Sequence, residues 1–173
     1  MKKIALFLIL IITAGCSSSR VTYDYDNKTN FSKQQTFGFF DDVGEGLNEF
    51  DIKRIRTVIA NELRLKGMGL SENPDFYINF FSKQTEDVNR STIGVGIGGG
   101  GNVGFGISGG IPIDNRRITQ TLTIDFVKAN TDDLFWQGIS EHRINEQTTP
   151  YKRLNYYRSV INKIFSNYPP NKH

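Results

Sequence analysis

The chain has 173 residues and a formal charge of +3 at pH 7, from 21 basic and 18 acidic side chains. This length fits one domain with a substantial core. Without residues 1–15 the balance falls to 19 basic and 18 acidic side chains, because Lys2 and Lys3 are lost. A nearly neutral chain gives no electrostatic support for binding nucleic acid, and one cysteine excludes an internal disulfide.

The N-terminal segment has the pattern of a signal peptide. Lys2 and Lys3 supply positive charge, and Ile4–Ile12 is an unbroken apolar run. Nine helical residues rise about 14 Å, whereas the hydrocarbon core of a bilayer is about 30 Å thick. The run is therefore too short for a permanent span and suits the apolar region of a signal peptide.

The apolar run is followed by Ala14, Gly15 and Cys16. This triplet resembles the lipobox of bacterial lipoproteins, although Thr13 stands where that motif usually has Leu. The resemblance implies that the chain is cut before Cys16, that Cys16 carries acyl chains, and that these anchor the protein in a membrane. Ser17 after the cysteine, instead of the Asp typical of inner-membrane retention, favours the outer membrane. The alternative is an ordinary secretory signal with an incidental cysteine.

We expect residues 1–15 to be the lipoprotein signal peptide, 16–20 a lipidated tether, and 21–170 a single domain. Within the domain, residues 21–26 and 35–40 alternate as strands do. A helix follows with Ile52, Ile55, Ile59 and Leu63 on its apolar face, begun by Asn48 and ended near Gly67. Its outer residues either form an ordinary solvated face or bind a partner; they are Lys53, Thr57, Asn61 and Arg64.

After the turn at Asn73-Pro74, residues 76–81 are apolar on both sides, which is typical of a central strand. Residues 91–113 contain ten glycines and no charged residue. We expect a glycine-rich insertion over 91–115, either a softened hairpin or disordered loop, or a surface that meets a membrane or another protein. Its fit to a dinucleotide fingerprint at 96–101 is rejected, because no helix and no acidic residue follow at the required distance.

Residues 116–128 and 134–144 predict a long antiparallel hairpin, with Gly138 as a candidate bulge. Thr149-Pro150 opens a final amphipathic helix, and Pro169-Pro170 ends it. The order of elements predicts an α+β fold. We expect an antiparallel sheet of about five strands with two amphipathic helices packed on one face, a two-layer sandwich.

Candidate active-site residues are few. Ser140, Glu141 and His142 are the residue types of a catalytic triad, but neighbours on a strand point to alternate faces. Asp24 and Asp26 share strand parity and could do acid–base work or bind a cation, whereas a solvated edge-strand face is the favoured interpretation. We therefore expect no catalytic residue, no cofactor site and no metal site, and lipidation at Cys16 is the one modification predicted.

Short motifs along the chain occur in a characteristic order after the lipobox: Val21-Thr22-Tyr23-Asp24-Tyr25-Asp26, Phe31-Ser32, Thr36-Phe37, Lys66-Gly67, Asn73-Pro74-Asp75-Phe76, Leu122-Thr123-Ile124-Asp125 and Phe135-Trp136-Gln137-Gly138. This arrangement resembles the bacterial lipoproteins grouped as domain of unknown function 4136, across nearly all of the chain after residue 20. The resemblance implies an envelope lipoprotein without an assigned activity or catalytic residues.

Three hypotheses about function follow. The first is a non-enzymatic structural or binding module, lipid-anchored at the outer membrane through Cys16 and facing the periplasm. The second is an accessory subunit of a larger envelope or transport complex, which docks on a protein partner through the glycine-rich segment. The third is a hydrolase with an unfamiliar site, which would require a pocket near His142 or near Asp24 and Asp26. The sequence predicts no nucleic-acid partner and does not identify a small-molecule ligand.

Overall fold

The computed structural model describes residues 20–87, 117–144 and 149–170. Cys16 and the glycine-rich insertion lie outside these ranges. The described elements are six strands and two helices, with a short 3-10 turn at Phe31–Lys33. In chain order they are β1 (Arg20–Tyr25), β2 (Thr36–Phe39), α1 (Glu49–Leu65), β3 (Gly69–Leu70), β4 (Phe76–Asp87), β5 (Arg117–Lys128), β6 (Leu134–Ile144) and α2 (Pro150–Phe165).

The strands form one sheet in the order β1-β6-β5-β4-β2-β3. The predicted α+β class is confirmed, but the expectation of an antiparallel sheet of about five strands is only roughly right. Six strands are present, and β2 pairs in parallel with both β3 and β4. The reason is that α1, which follows β2, returns the chain to the starting end of the sheet, so β3 and then β4 run in the same direction as β2. β3 has two residues, too few to leave a periodic signal.

Helix α1 begins and ends where the sequence predicts. The side chain of Asn48 accepts a hydrogen bond from the N–H of Asp51, so Asn48 is the N-cap. At the other end Gly67 has a φ of 86°, and Met68 donates its N–H to the carbonyl of Leu63. These bonds satisfy carbonyls that the last helical turn leaves unpaired. Three of the four predicted apolar residues are fully buried, namely Ile55, Ile59 and Leu63.

An aromatic core fills the space between the helices and the sheet. Phe126 lies at its centre, with ring centroids of Trp136 at 4.7 Å and Tyr168 at 5.0 Å. Phe165 from α2 packs against both Phe126 and Trp136 at 5.7 Å. Offset and edge-to-face rings add to the large apolar area that each side chain buries. This cluster attaches α2 to the β5–β6 hairpin.

The irregularity of the hairpin lies at Phe135 instead of Gly138. Phe126 pairs with Trp136 and Val127 with Leu134, so Phe135 is the extra residue of a bulge. The bulge lets Phe135 and its neighbour Trp136 both be buried. Gly138 is in register opposite Ile124. A Cβ there would lie 2.5 Å from Cγ2 of Ile164, so glycine is needed for close packing of α2.

Candidate functional site

The start of β1 lies at the same end of the sheet as Asp87 and Arg117, the described residues that flank the glycine-rich insertion. Arg20 pairs with Glu141, which in turn pairs with Thr121, and β1 and β5 both run antiparallel to β6. β5 begins four residues nearer this end, at Arg117, which pairs with Asp87 at the end of β4. We call this edge of the domain the Arg20 end. Cys16 itself lies outside the described residues.

The three triad-type residues do not form one site. Ser140 is buried on the face toward the helices, in register with Leu122, whereas Glu141 is exposed. His142 is half-buried and its ring packs 4.8 Å from that of Tyr156. Burial and the nearby charge of Lys163 lower the pKa of His142. The alternation of faces predicted from the sequence places Glu141 on the opposite side of the sheet from Ser140 and His142.

The two candidate aspartates have separate local roles. Asp24 accepts a hydrogen bond from the N–H of Tyr25 at 2.8 Å. Asp26 follows the last residue of β1 and holds the turn, accepting from the N–H of Lys28 and the hydroxyl of Thr29, both at 2.9 Å. These bonds lower the pKa of Asp26. A hollow of about 230 Å³ lies beside both residues, but they do not share a hydrogen bond.

A cleft of about 940 Å³ lies at the β2 edge of the sheet, lined by residues of β2, α1 and the segment after β3. We call it the edge cleft. Its volume is at the upper end of the roughly 300–1,000 Å³ typical of ligand sites. Thr57, Asn61 and Arg64 line it, which are three of the four outer helix residues left open between solvation and binding. The remaining lining residues are Gly38, Phe39, Phe40, Asp41, Arg56, Ala60, Leu70, Ser71, Glu72 and Tyr77.

Arg56 is the best-positioned cation in the edge cleft. Its guanidinium carbon lies 4.9 Å from the centroid of the Phe39 ring, a cation–π contact. Within the described residues, neither Arg56 nor Arg64 has an ion-pair partner. The sequence did not single out Arg56 or Phe39. Their contact depends on α1 crossing over β2, which no local pattern shows.

A buried carboxylate lies at the other end of α1, beneath the start of α2. The side chain of Asp51 is 1% exposed and accepts from Arg54 Nη1 and Arg153 Nε, each at 2.8 Å. Asn48 Nδ2 donates to it at 2.9 Å. All its contacts are to other groups of the protein, so it acts as a link between the helices. The spacing of Asp51 and Arg54 was the one sequence signal for this cluster.

A second perturbed carboxylate lies on the sheet face opposite the helices. Asp125 accepts from Nε2 of Gln137 at 2.7 Å. Burial raises the pKa of Asp125, and this hydrogen bond only partly offsets the effect. Asn79 is its register partner on β4. Asn79, Asp125 and Gln137 thus form a polar row across β4, β5 and β6.

The described residues contain neither a metal-binding cluster nor a membrane-spanning helix. No group of three or more His, Cys, Asp and Glu side chains there is placed to hold a metal ion. Neither α1 nor α2 has the length and apolarity needed to cross a membrane.

Solved structures share this fold at low identity. A PDZ domain protein from Parabacteroides distasonis superposes with a TM-score of 0.57 at 15% identity, over 96% of this chain and 40% of that one. This chain thus spans less than half of that protein. PelC from Paraburkholderia phytofirmans, solved as a dodecamer, gives 0.51 in two crystal forms, at 8% and 9% identity. Both matches cover 86% of this chain, and they cover 95% and 96% of the two PelC chains.

A search of curated proteins gave no match. The family comparison is more specific, because one family model matches residues 21–170. That range spans all six strands from the second residue of β1 onward and both helices. The chain belongs to the family described as domain of unknown function 4136 (DUF4136).

Proposed function

We propose that the protein is a lipid-anchored module of the outer membrane that acts by binding or by structural support, without catalysis. The observation that carries the proposal is the sequence Ala14-Gly15-Cys16 directly after a short apolar run. Each buried CH₂ of an acyl chain adds about 0.8 kcal/mol of membrane affinity, so two or three chains on Cys16 make a stable anchor.

The distance from Cys16 to the domain supports the same proposal. β1 begins at Arg20, four residues after Cys16. At no more than about 3.6 Å per residue, the tether spans at most about 14 Å. An acylated Cys16 would therefore hold the Arg20 end of the sheet close to the membrane surface.

The anchor is tested by replacing Cys16 with Ala. We expect the variant to lose acyl labelling and to be soluble or retained as an uncleaved precursor. A matched variant, Ser17→Asp, should keep the acyl label but move the protein from the outer to the inner membrane fraction. Membrane attachment of Cys16→Ala with unchanged acyl labelling would refute the proposal.

A second candidate function is an accessory subunit of an envelope complex that docks through residues 91–113. The observation that favours it is the position of Asp87 and Arg117, the described residues that flank the insertion, which are paired at the Arg20 end of the sheet. Because these two residues are direct neighbours across β4 and β5, a short turn can replace the segment between them.

The docking candidate is tested by deleting residues 92–113 and comparing crosslinked partners after affinity purification. We expect the deletion to lose specific partners while its unfolding midpoint in urea stays close to that of the wild type. Recovery of the same partners by both proteins would show that the segment does not dock.

A further inference from the structure

The edge cleft exists because β3 is shorter than its neighbour. β3 pairs with β2 only at Thr36 and Phe37, and it ends at Leu70. Phe39, the last residue of β2, pairs with Ile78 of β4 on its inner side, but no strand of the described chain pairs with it on its outer side. The sheet therefore has an unfinished edge at this point.

The backbone of Phe39 is directed into the opening. Phe40 donates its N–H to Ile78 of β4 at 3.1 Å, so residue 40 bonds toward the sheet. In a parallel ladder the backbone N–H and C=O groups of successive residues point to alternate sides of the strand. The carbonyl of Phe37 points to the outer side, where it accepts from the N–H of Ser71. Phe39 has the same parity as Phe37, so its N–H and C=O point outward, where an added strand could pair with them.

The chain after β3 is held away from this edge. Asp75 accepts hydrogen bonds from the N–H groups of Gln35 and Thr36, at 2.9 and 2.8 Å. It also donates its own N–H to the carbonyl of Thr36 at 3.0 Å. These bonds fix the link between β3 and β4 at the start of β2, so the opening beside Phe39 is left free.

The charges above the edge favour carboxylates. Arg56 and Arg64 are eight residues apart on α1, which places them a little over two turns, or about 12 Å, apart along the helix, and both line the cleft. Residues i and i+4 of an extended peptide are about 13 Å apart and point to the same face. Arg56 is already oriented by its contact with Phe39.

The other side of the cleft favours apolar groups. Phe40 and Tyr77 line it from the sheet face that the helices do not cover, with ring centroids 5.2 Å apart. An added strand alternates its side chains, so positions between the acidic ones would contact this aromatic pair. Asp41 and Glu72 also line the cleft and would disfavour acidic residues on their side.

We propose that the edge cleft binds a short extended peptide as an added strand on β2, with carboxylates at positions i and i+4 facing Arg56 and Arg64. Main-chain hydrogen bonds would supply affinity, and the alternate side chains would supply specificity. The inference rests on the proposed binding role and names the partner as an acidic, partly apolar peptide segment. It does not depend on lipidation of Cys16.

The test is selection from a random heptapeptide display library, using the full chain in detergent as bait. We expect enriched peptides to carry acidic residues four apart with apolar residues between them. Binding of a labelled enriched peptide should weaken at least about tenfold in Arg56→Gln and in Arg64→Gln, as expected for loss of a charge-assisted hydrogen bond. The matched control, Lys53→Gln, changes an exposed residue of the same helix outside the cleft and should bind as the wild type does.

Two further measurements separate strand addition from simple charge attraction. N-methylation of the central amides of the peptide should abolish binding although its carboxylates remain. Hydrogen exchange at the Phe39 amide should slow when the unmethylated peptide is bound. Peptides that bind the Arg56→Gln/Arg64→Gln double variant with unchanged affinity would overturn the proposal, as would a library that gives no enrichment.

Two other outcomes have defined meanings. If the double variant abolishes concentration-dependent self-association in light scattering and no peptide is enriched, the cleft binds a second copy of the chain, and the peptide proposal is wrong. Peptide binding should be the same in Cys16→Ala as in the wild type. Membrane attachment of Cys16→Ala with unchanged acyl labelling, together with normal peptide binding, would refute the anchor alone. Loss of acyl labelling in Cys16→Ala, together with no peptide binding by the wild type, would refute the cleft alone.

Discussion

The link between the two helices is the sharpest target for a stability measurement. Asp51→Ala removes a carboxylate that is 1% exposed and accepts from three side-chain donors, on Arg54, Arg153 and Asn48. Breaking a buried ion pair costs about 3–5 kcal/mol when one partner is left behind. Here the arginines are 22% and 26% exposed, so they recover part of their hydration. We therefore expect a loss of about 3 kcal/mol, at the lower end of that range.

For a chain of this length, about 3 kcal/mol corresponds to a fall in Tm of roughly 6–12 °C. The assay is urea unfolding followed by fluorescence of Trp136, the single tryptophan, which is fully buried in the core. The control is Glu49→Gln, an exposed acidic residue in the first turn of the same helix. This substitution removes only the favourable interaction between the Glu49 charge and the helix dipole, which is worth about 0.3–1 kcal/mol.

A double-mutant cycle isolates the contact between the helices. We expect Asp51→Ala and Arg153→Ala to be non-additive, with a coupling energy of about 1–3 kcal/mol. A coupling near zero would show that the 2.8 Å contact between Asp51 and Arg153 does not join the helices energetically. The reasoning would also fail if Asp51→Ala cost no more than Glu49→Gln.

Two further substitutions test the sheet. Asp125→Asn should raise stability at neutral pH, because burial raises the pKa of Asp125 in the folded state. The wild type therefore loses stability as the pH rises from the unfolded-state pKa to the folded-state pKa. Below about pH 4 the carboxyl is protonated in both states, so urea unfolding should show no gain there. A gain independent of pH would contradict this account. Gly138→Ala should cost about 1–3 kcal/mol by overpacking, since its Cβ would lie 2.5 Å from Ile164 and 2.6 Å from the Trp136 ring. Gly69→Ala is the control, with its nearest contact at 3.9 Å, and equal urea midpoints for the two variants would contradict the packing argument.

The edge cleft favours one of the two interpretations of the outer face of α1. A solvated face and a binding face have the same residue types, so the sequence left both interpretations open for Thr57, Asn61 and Arg64. The structure places them over an unfinished sheet edge, beside an arginine that stacks on Phe39. That combination is what favours binding.

The amino-acid sequence by itself determined the features that depend on neighbouring residues. The cap at Asn48, the turn at Gly67 and the helix start at Thr149-Pro150 agree with the structure. The buried face of α1 also follows from its 3.6-residue period, and the lipobox-like triplet at Cys16 is purely local.

Tertiary structure decided the rest, because it depends on which elements meet. The parallel pairing of β2 required α1 to cross the sheet, and two-residue β3 formed only because β2 offered an edge. The bulge at Phe135 arose from packing two large aromatic side chains into one core. Asp51 meets Arg153 across 102 positions of the chain, and Arg56 meets Phe39 across a crossover connection. Such contacts are set by the geometry of the whole domain, and no local periodicity encodes them.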